Sequence, residues 1–321
     1  MAIAREPAPA CSVEARVTSV QRICREHVRI EAALSEFPPS TPGQFLQLLC
    51  REAHAAATDL EREWPADAFP TIQDADFRAH QPYLRRPFSI ADRYCAPDGT
   101  TRLGVILRTV GPGTAWLERL RVGDVLNLTG PLGCGFRVPP APRPLLLIGG
   151  GVGIPPLLYL ARELHARAHP EAYLVLGAVH ADLLPVELAD APDPLGRPRP
   201  CVALPGGAAY PAVITTDDGS LGLRGRVTDA LPALADRLAG PAPLVLACGP
   251  DGMLRAVAEQ TRARGWDCQL CIERNMGCGT GTCLSCVVRR RSGAAGGWHW
   301  ALACRDGPVF DRDELPDYDT P

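Results

Sequence analysis

The chain has 321 residues and a formal net charge of −3, with 46% hydrophobic and 21% charged residues. That is the balance of an ordinary soluble globular protein with room for two or three cored domains, and it supplies no global field to draw nucleic acid or an anionic membrane. Every basic residue is arginine, which excludes a P-loop lysine, a Schiff-base lysine and a lysine general base.

The N-terminus, MAIAREPAPA, lacks the apolar region of a signal peptide, and 13 cysteines in so long a chain fall short of a disulfide scaffold; a reducing cytoplasm is expected. From Ser12 to about Pro140, short alternating stretches such as VEARVTSVQRI, HVRIEAAL, GQFLQLLC, RRPFSIADR and TRLGVILRTV are separated by Pro and Gly turns. This rhythm predicts an antiparallel barrel or sandwich. Residues 51–81 break it and read as an insertion, with AHAAATDLEREW as a short helix. Next comes Arg86-Pro87-Phe88-Ser89. In a strand this can set a guanidinium fork on a pyrophosphate and a hydroxyl near a ring edge, although such a tetrapeptide also occurs by chance in edge strands. Val110 to Leu117 reads as a glycine turn opening a short helix, where Gly113 and Thr114 serve either an anion or a plain helix cap.

Near Pro142 the pattern changes to apolar runs alternating with helices. PLLLIG, AYLVLGAV, AVITTDD and PLVLACG read as strands, and residues 154–168, 227–238 and 251–264 as helices; together they predict a doubly wound parallel α/β sheet. The charge-free run from Pro144 to Ala161 is not a membrane span, because its glycines and Pro155-Pro156 would break the helix midway. Two turns follow strands, where such sheets bind ligands. One contains Gly150, Gly151 and Gly153 and departs from the Gly-x-Gly-x-x-Gly pattern at Ile154, yet it keeps glycines and a helix start for a pyrophosphate. The other is Cys248-Gly249-Pro250, either a ledge for a nicotinamide ring or ordinary packing around a buried thiol.

Cys278, Cys283 and Cys286 stand at Cys-x4-Cys-x2-Cys spacing, interleaved with glycines, and Cys304 follows as a fourth thiol. This is the plant-type pattern for a 2Fe-2S cluster. A structural zinc site usually shows two close pairs, and here only Cys283 and Cys286 form one. Cys268 and Cys271 read as packing residues. The expected organisation is a flavin-type β-barrel over 1–140, a nucleotide domain over 141–265 and a cluster domain over 266–321.

Together these motifs, in this order and with the tail Asp306-Gly307-Pro308-Val309-Phe310, resemble the electron-transfer subunits of bacterial NAD-dependent dihydroorotate dehydrogenase, in the ferredoxin-reductase superfamily. The resemblance spans about residues 12–312. It implies a cytoplasmic oxidoreductase subunit of pyrimidine biosynthesis with FAD, a 2Fe-2S cluster and NAD. A catalytic FMN-containing dihydroorotate dehydrogenase subunit would be its partner, in a heterotetramer. The family's flavin residues map onto Arg86, Pro87, Phe88, Ser89, Ile106, Leu107, Arg108, Gly113 and Thr114, and its cluster ligands onto Cys278, Cys283, Cys286 and Cys304. A flavin suits the middle of such a chain because it exchanges electrons singly or in pairs. Three features depart from or refine the pattern. The insertion is long, Phe88 replaces a more usual aliphatic residue, and Val179-His180-Ala181-Asp182 lacks the arginine that would meet an NADP 2′-phosphate. The resemblance further implies that Gly277 to Gly281 and Cys304 lie near the surface, with FAD on the inner side. Competing readings are a stand-alone NAD(P)H reductase component for another redox partner, and a non-enzymatic metal-binding redox sensor.

Overall fold

The structure is a computed structural model and describes residues 10–52, 67, 82, 84–140, 143–238, 240–292 and 296–319. Most of the 51–81 insertion, including its expected helix, lies outside the described residues.

Seven antiparallel strands come first: β1 (Cys11–Cys24), β2 (His27–Leu34), β3 (Phe45–Leu48), β4 (Arg86–Ser89), β5 (Asp92–Cys95), β6 (Thr101–Arg108) and β7 (Val125–Leu132). Their order is β4-β3-β7-β1-β2-β6-β5. Strands β4 and β5 are therefore at opposite edges, yet only Ile90 and Ala91 separate them. The Ile90 N–H donates to the Gln44 carbonyl and the Ala91 N–H to the Gly104 carbonyl. A link this short draws the two edges together, so the sheet curls as the sequence pattern predicts. The same link divides RRPFSIADR, which alternation alone reads as one strand. Helix α1 (Pro112–Glu118) spans the gap from β6 to β7.

The second sheet contains β8 (Leu145–Gly150), β9 (Ala172–Ala178), β10 (Glu187–Leu188), β11 (Arg199–Ala203), β12 (Ala209–Thr216), β13 (Leu223–Arg224), β14 (Leu244–Cys248) and β15 (Asp267–Cys271). Its parallel centre runs β12-β9-β8-β14-β15. Leu145 to Ile148 are wholly buried, as a strand covered on both faces requires. The charge-free run thus divides between β8 and helix α2 (Ile154–Ala166). Among the described residues no helix is long and apolar enough to cross a membrane. The helix expected over 227–238 is shorter: a 3-10 turn leads into α3 (Leu231–Arg237) with Pro232 in its first turn, where proline is tolerated. Helix α4 (Asp251–Ala263) precedes β15. Strand β15 is hydrogen-bonded to β14, so the parallel sheet extends past residue 265.

The remaining chain forms a hairpin, β16 (Val287–Arg291) with β17 (Trp298–Leu302), then β18 (Val309–Asp311) antiparallel to β15. One apolar core joins Phe45 and Leu132 of the curled sheet, Val245 and Leu270 of the parallel sheet, and Cys286, Cys304 and Phe310 of the C-terminal segment. A buried ion pair adds a second link: Arg162 of α2 and Arg29 of β2 both reach the Asp92 carboxylate. Burial is the main influence pushing that carboxyl up, and the two guanidinium groups oppose it; a buried charge is tolerable only when paired in this way.

The Asp306 to Phe310 tail acquires a physical role. The Gly307 carbonyl accepts from the Cys134 N–H at 2.5 Å, and the Pro308 carbonyl accepts from the Ile272 N–H at 3.0 Å. It therefore ties the C-terminal segment to the curled sheet and to β15, while Phe310 fills the shared core. Truncating a buried phenylalanine typically costs about 3–5 kcal/mol. Phe310→Ala is expected to lose that much in a denaturant titration, and a loss below about 1 kcal/mol would contradict the shared core.

Candidate functional site

The four thiols form two neighbouring pairs, Cys278 with Cys283 and Cys286 with Cys304, and Cys278 is near enough to act on Cys304. Cys278 Sγ accepts the Thr280 and Cys283 N–H groups, each at 3.4 Å. Burial raises the Cys278 thiol, but these amides and the hydroxyl and thiol beside it outweigh that and bring it down to about 6. The Ser285 hydroxyl, 3.2 Å from Cys283 Sγ, lowers the Cys283 thiol. Ser285 also accepts the Gly277 N–H at 3.0 Å and so folds the loop back on itself. Opposite them, Cys304 lies against Cys286 and is pushed up to about 12 by burial and then by that neighbouring thiol; Cys278 and the Gly281 amide also act on it. Among the described residues no three His, Cys, Asp or Glu side chains gather closely enough for a single metal ion. Two pairs of thiolates are the donor set of a two-iron cluster, and the residues fit that group.

Exposure corrects one expectation. Cys283 is exposed and Cys278 half-buried, but Cys286 and Cys304 are each only 2% exposed. Cys304 is not a surface residue, because the turn after β17 carries it into the shared core. The loop's outer rim consists of Thr280, Thr282 and Cys283, with Leu284 exposed beside them. Gly279 faces inward, at φ +75°, and a Cβ there would stand 2.6 Å from the Gln47 amide nitrogen. Only a glycine in this left-handed conformation lets the loop rest on β3.

Strand β3 pairs with β4, placing Gln47 opposite Pro87 and Phe45 opposite Ser89. The thiol loop therefore sits one strand away from Arg86-Pro87-Phe88-Ser89. The Arg86 side chain is next to Gly113 at the start of α1, with its Cγ 3.5 Å from where a Cβ of Gly113 would be. Neighbouring Arg85 is occupied: it donates to the Gln47 and Asn127 carbonyls at 3.3 Å and braces β3 against β7. Thr114 Oγ1 accepts from the Val110 and Gly111 N–H groups and donates to the Gly111 carbonyl, so of its two readings the structure displays the cap. Leu107 points into the core of the curled sheet and Ile106 packs toward α2, leaving the backbone there as the part able to meet a ligand. Arg108 is paired with Glu26 at 2.7 Å.

In the parallel sheet, the strand order reverses between β8 and β14, and both glycine turns lie at that crevice. They touch: a Cβ on Gly153 would overlap the Cys248 carbonyl, and Met253 fills the space beside Gly150 and Gly249. This revises the expected role of the glycines. Gly150, Gly153 and Gly249 allow the loops to pack on each other, and Gly151, with nothing near its Cβ position, is the one that presents open backbone. Cys248 is buried against Cys271, and Cys268 is buried too.

Two features escape the sequence reading. Asp217 and Asp218 follow β12 at the carboxyl edge, where their N–H groups donate to the Ala178 and Val179 carbonyls. The Asp218 carboxylate is held well below its ordinary range by the Ser220 hydroxyl and by His180, whose Nδ1 is 3.0 Å away. The usual ribose-binding acid follows the glycine turn by about 20 residues, and these two stand after a later strand, so spacing does not flag them. Gln47 is the second, and alternation within FLQL gives no sign of it.

A curled antiparallel sheet followed by a parallel sheet with a switch-point crevice defines a ferredoxin-reductase-like fold. Solved structures share it. An NADH-dependent reduced ferredoxin-NADP oxidoreductase aligns with a TM-score of 0.64 at 23% identity, covering 94% of this chain and 89% of that one. A ferredoxin NADP+ reductase from Neisseria gonorrhoeae gives 0.53 at 16% identity, over 79% and 92%. These likenesses concern the fold. Residues 273–316 match the model for the iron-sulfur cluster binding domain of dihydroorotate dehydrogenase B. The dihydroorotate dehydrogenase B (NAD(+)) electron transfer subunit of Caldanaerobacter subterraneus is 31% identical over 303 residues, covering 94% of this chain and 98% of the relative. That of Geobacillus thermodenitrificans is 36% identical over 240 residues, covering 74% and 82%. The chain belongs to this family, the electron transfer subunits of dihydroorotate dehydrogenase B.

Proposed function

We propose that the chain connects a catalytic, FMN-bearing dihydroorotate dehydrogenase subunit to NAD in pyrimidine biosynthesis, through a 2Fe-2S cluster and FAD. The observation that carries this reading is the seating of the thiol loop on β3, beside the strand with Arg86 to Ser89. When bound, the cluster exchanges single electrons, the flavin takes them singly or in pairs, and NAD accepts them as hydride. Cys278, Cys283, Cys286 and Cys304 hold the cluster. Arg86 and the Gly113-Thr114 turn would hold the FAD pyrophosphate, and Pro87, Phe88, Ser89 and the backbone of Ile106, Leu107 and Arg108 would line the rest of its site. Gly150, Gly151, Gly153 and Cys248-Gly249-Pro250 shape the NAD crevice. The anionic Asp218, after β12 on the same carboxyl edge of the sheet, favours NAD, because it would repel a 2′-phosphate.

The partner belongs on the cluster's outer side. Leu284, Val287, Trp298 and Trp300 are all exposed there, the two indoles in edge contact at 5.1 Å. Exposed aromatics beside a site are favoured anchors for a protein partner. Trp300→Ala is expected to weaken binding of the catalytic subunit by at least about thirtyfold, since anchor truncations cost about 2 kcal/mol or more; calorimetry of the two subunits measures it. A heterotetramer in the cytoplasm, where thiols stay reduced, completes the proposal. Its test is co-purification with a catalytic subunit, followed by dihydroorotate-dependent NAD reduction. A purified complex that oxidises dihydroorotate but never reduces NAD would overturn it.

A further inference from the structure

Gln47 is fully buried, and both its Oε1 and Nε2 lack a hydrogen-bond partner. Buried amides are rarely left so. The contrast within this chain is direct. Gln44, also buried, donates to the Gly133 carbonyl at 2.7 Å and accepts the Thr41 N–H at 2.8 Å. Gln269 exchanges two 2.9 Å hydrogen bonds with the Arg137 backbone. Gln47 alternates with Leu46 and Leu48, which fill the core of the curled sheet, so its amide emerges on the opposite face. There it meets the backbone of Gly279, next in the chain to Cys278. Cys278 Sγ already collects two N–H groups, and a side-chain amide brought to the same loop extends that set of donors.

We propose that Gln47 is a hydrogen-bond donor to the sulfurs of the 2Fe-2S cluster and sets its reduction potential. The inference rests on the cluster assignment above. Hydrogen bonds to cluster sulfurs stabilise the reduced, more negative state. Gln47 therefore raises the potential and makes the cluster a better acceptor for electrons arriving from outside. It also occupies β3 between the thiol loop and β4, so its amide contributes to the polarity between the cluster and the flavin strand.

The test uses the full chain assembled with its catalytic partner. Iron and sulfide content, flavin content and thermal melting are measured first for the wild type, Gln47→Leu and Gln47→Glu. An EPR-monitored redox titration follows. Gln47→Leu removes the donors at similar size, and a shift of about tenfold in the one-electron equilibrium is expected, or about 59 mV to lower potential. Gln47→Glu, with a donor replaced by a negative charge, is expected to move it further in the same direction. A wild-type protein without iron and sulfide would sink the cluster assignment itself. Variants that keep their cluster and titrate at the wild-type potential would overturn only the role of Gln47, and a melting-temperature loss with no change in potential would do the same.

Discussion

Cys283→Ser is expected to abolish dihydroorotate-dependent NAD reduction while leaving the flavin bound. Cys283 is on the exposed half of the thiol loop, and the shared core is built around Cys286 and Cys304 instead. Its loss should spare the fold and the flavin strand. Changes to the groups that merely surround a metal site cost about 10- to 100-fold; removing a thiolate ligand is expected to exceed that. NADH-driven reduction of an artificial acceptor, which needs only the flavin and the nucleotide crevice, should remain near the wild-type rate. The two assays on one preparation make the check, and unchanged NAD reduction by dihydroorotate would refute the electron path.

Gly153→Ala is expected to act at the other end. Its Cβ would overlap the Cys248 carbonyl, and two backbone segments must then separate at the crevice between β8 and β14. Overpacking of this kind costs about 1–3 kcal/mol of stability, and misplacing a bound group by 1 Å can cost about a hundredfold in rate. NAD reduction should fall by roughly that factor, while flavin bleaching by dihydroorotate in the assembled complex proceeds as in the wild type. Stopped-flow absorbance separates the two steps. If both slow equally, the crevice is not where NAD reacts.

The parts of this protein that can be read from its sequence are those in which local spacing determines the structure. The thiol spacing specifies a loop, and the apolar run Leu145 to Ile148 specifies a buried parallel strand. Contacts between distant segments are not encoded in that way. Gln47 looks like the polar residue of an alternating strand, and only the docking of Gly279 makes its amide buried and unpartnered. The position of Cys304 along the chain does not show its burial, yet β17 delivers it into a core that also contains Phe45 and Leu132. The glycine turn after β8 resembles a phosphate loop, but Gly150 and Gly153 are needed there for packing against Met253 and the end of β14. Asp217 and Asp218 end a predicted strand, and they gain meaning once β12 is known to lie beside β9.

The proposed relay has an order, with the thiol loop on the partner's side and the flavin strand behind it. Rapid-freeze EPR and absorbance on the anaerobic complex test it most directly, with dihydroorotate as reductant in one experiment and NADH in the other. With dihydroorotate the reduced-cluster signal should rise before the FAD absorbance falls, with NADH the order should reverse, and Cys283→Ser should block FAD bleaching by dihydroorotate alone. FAD bleaching by dihydroorotate at the wild-type rate in Cys283→Ser would contradict the account.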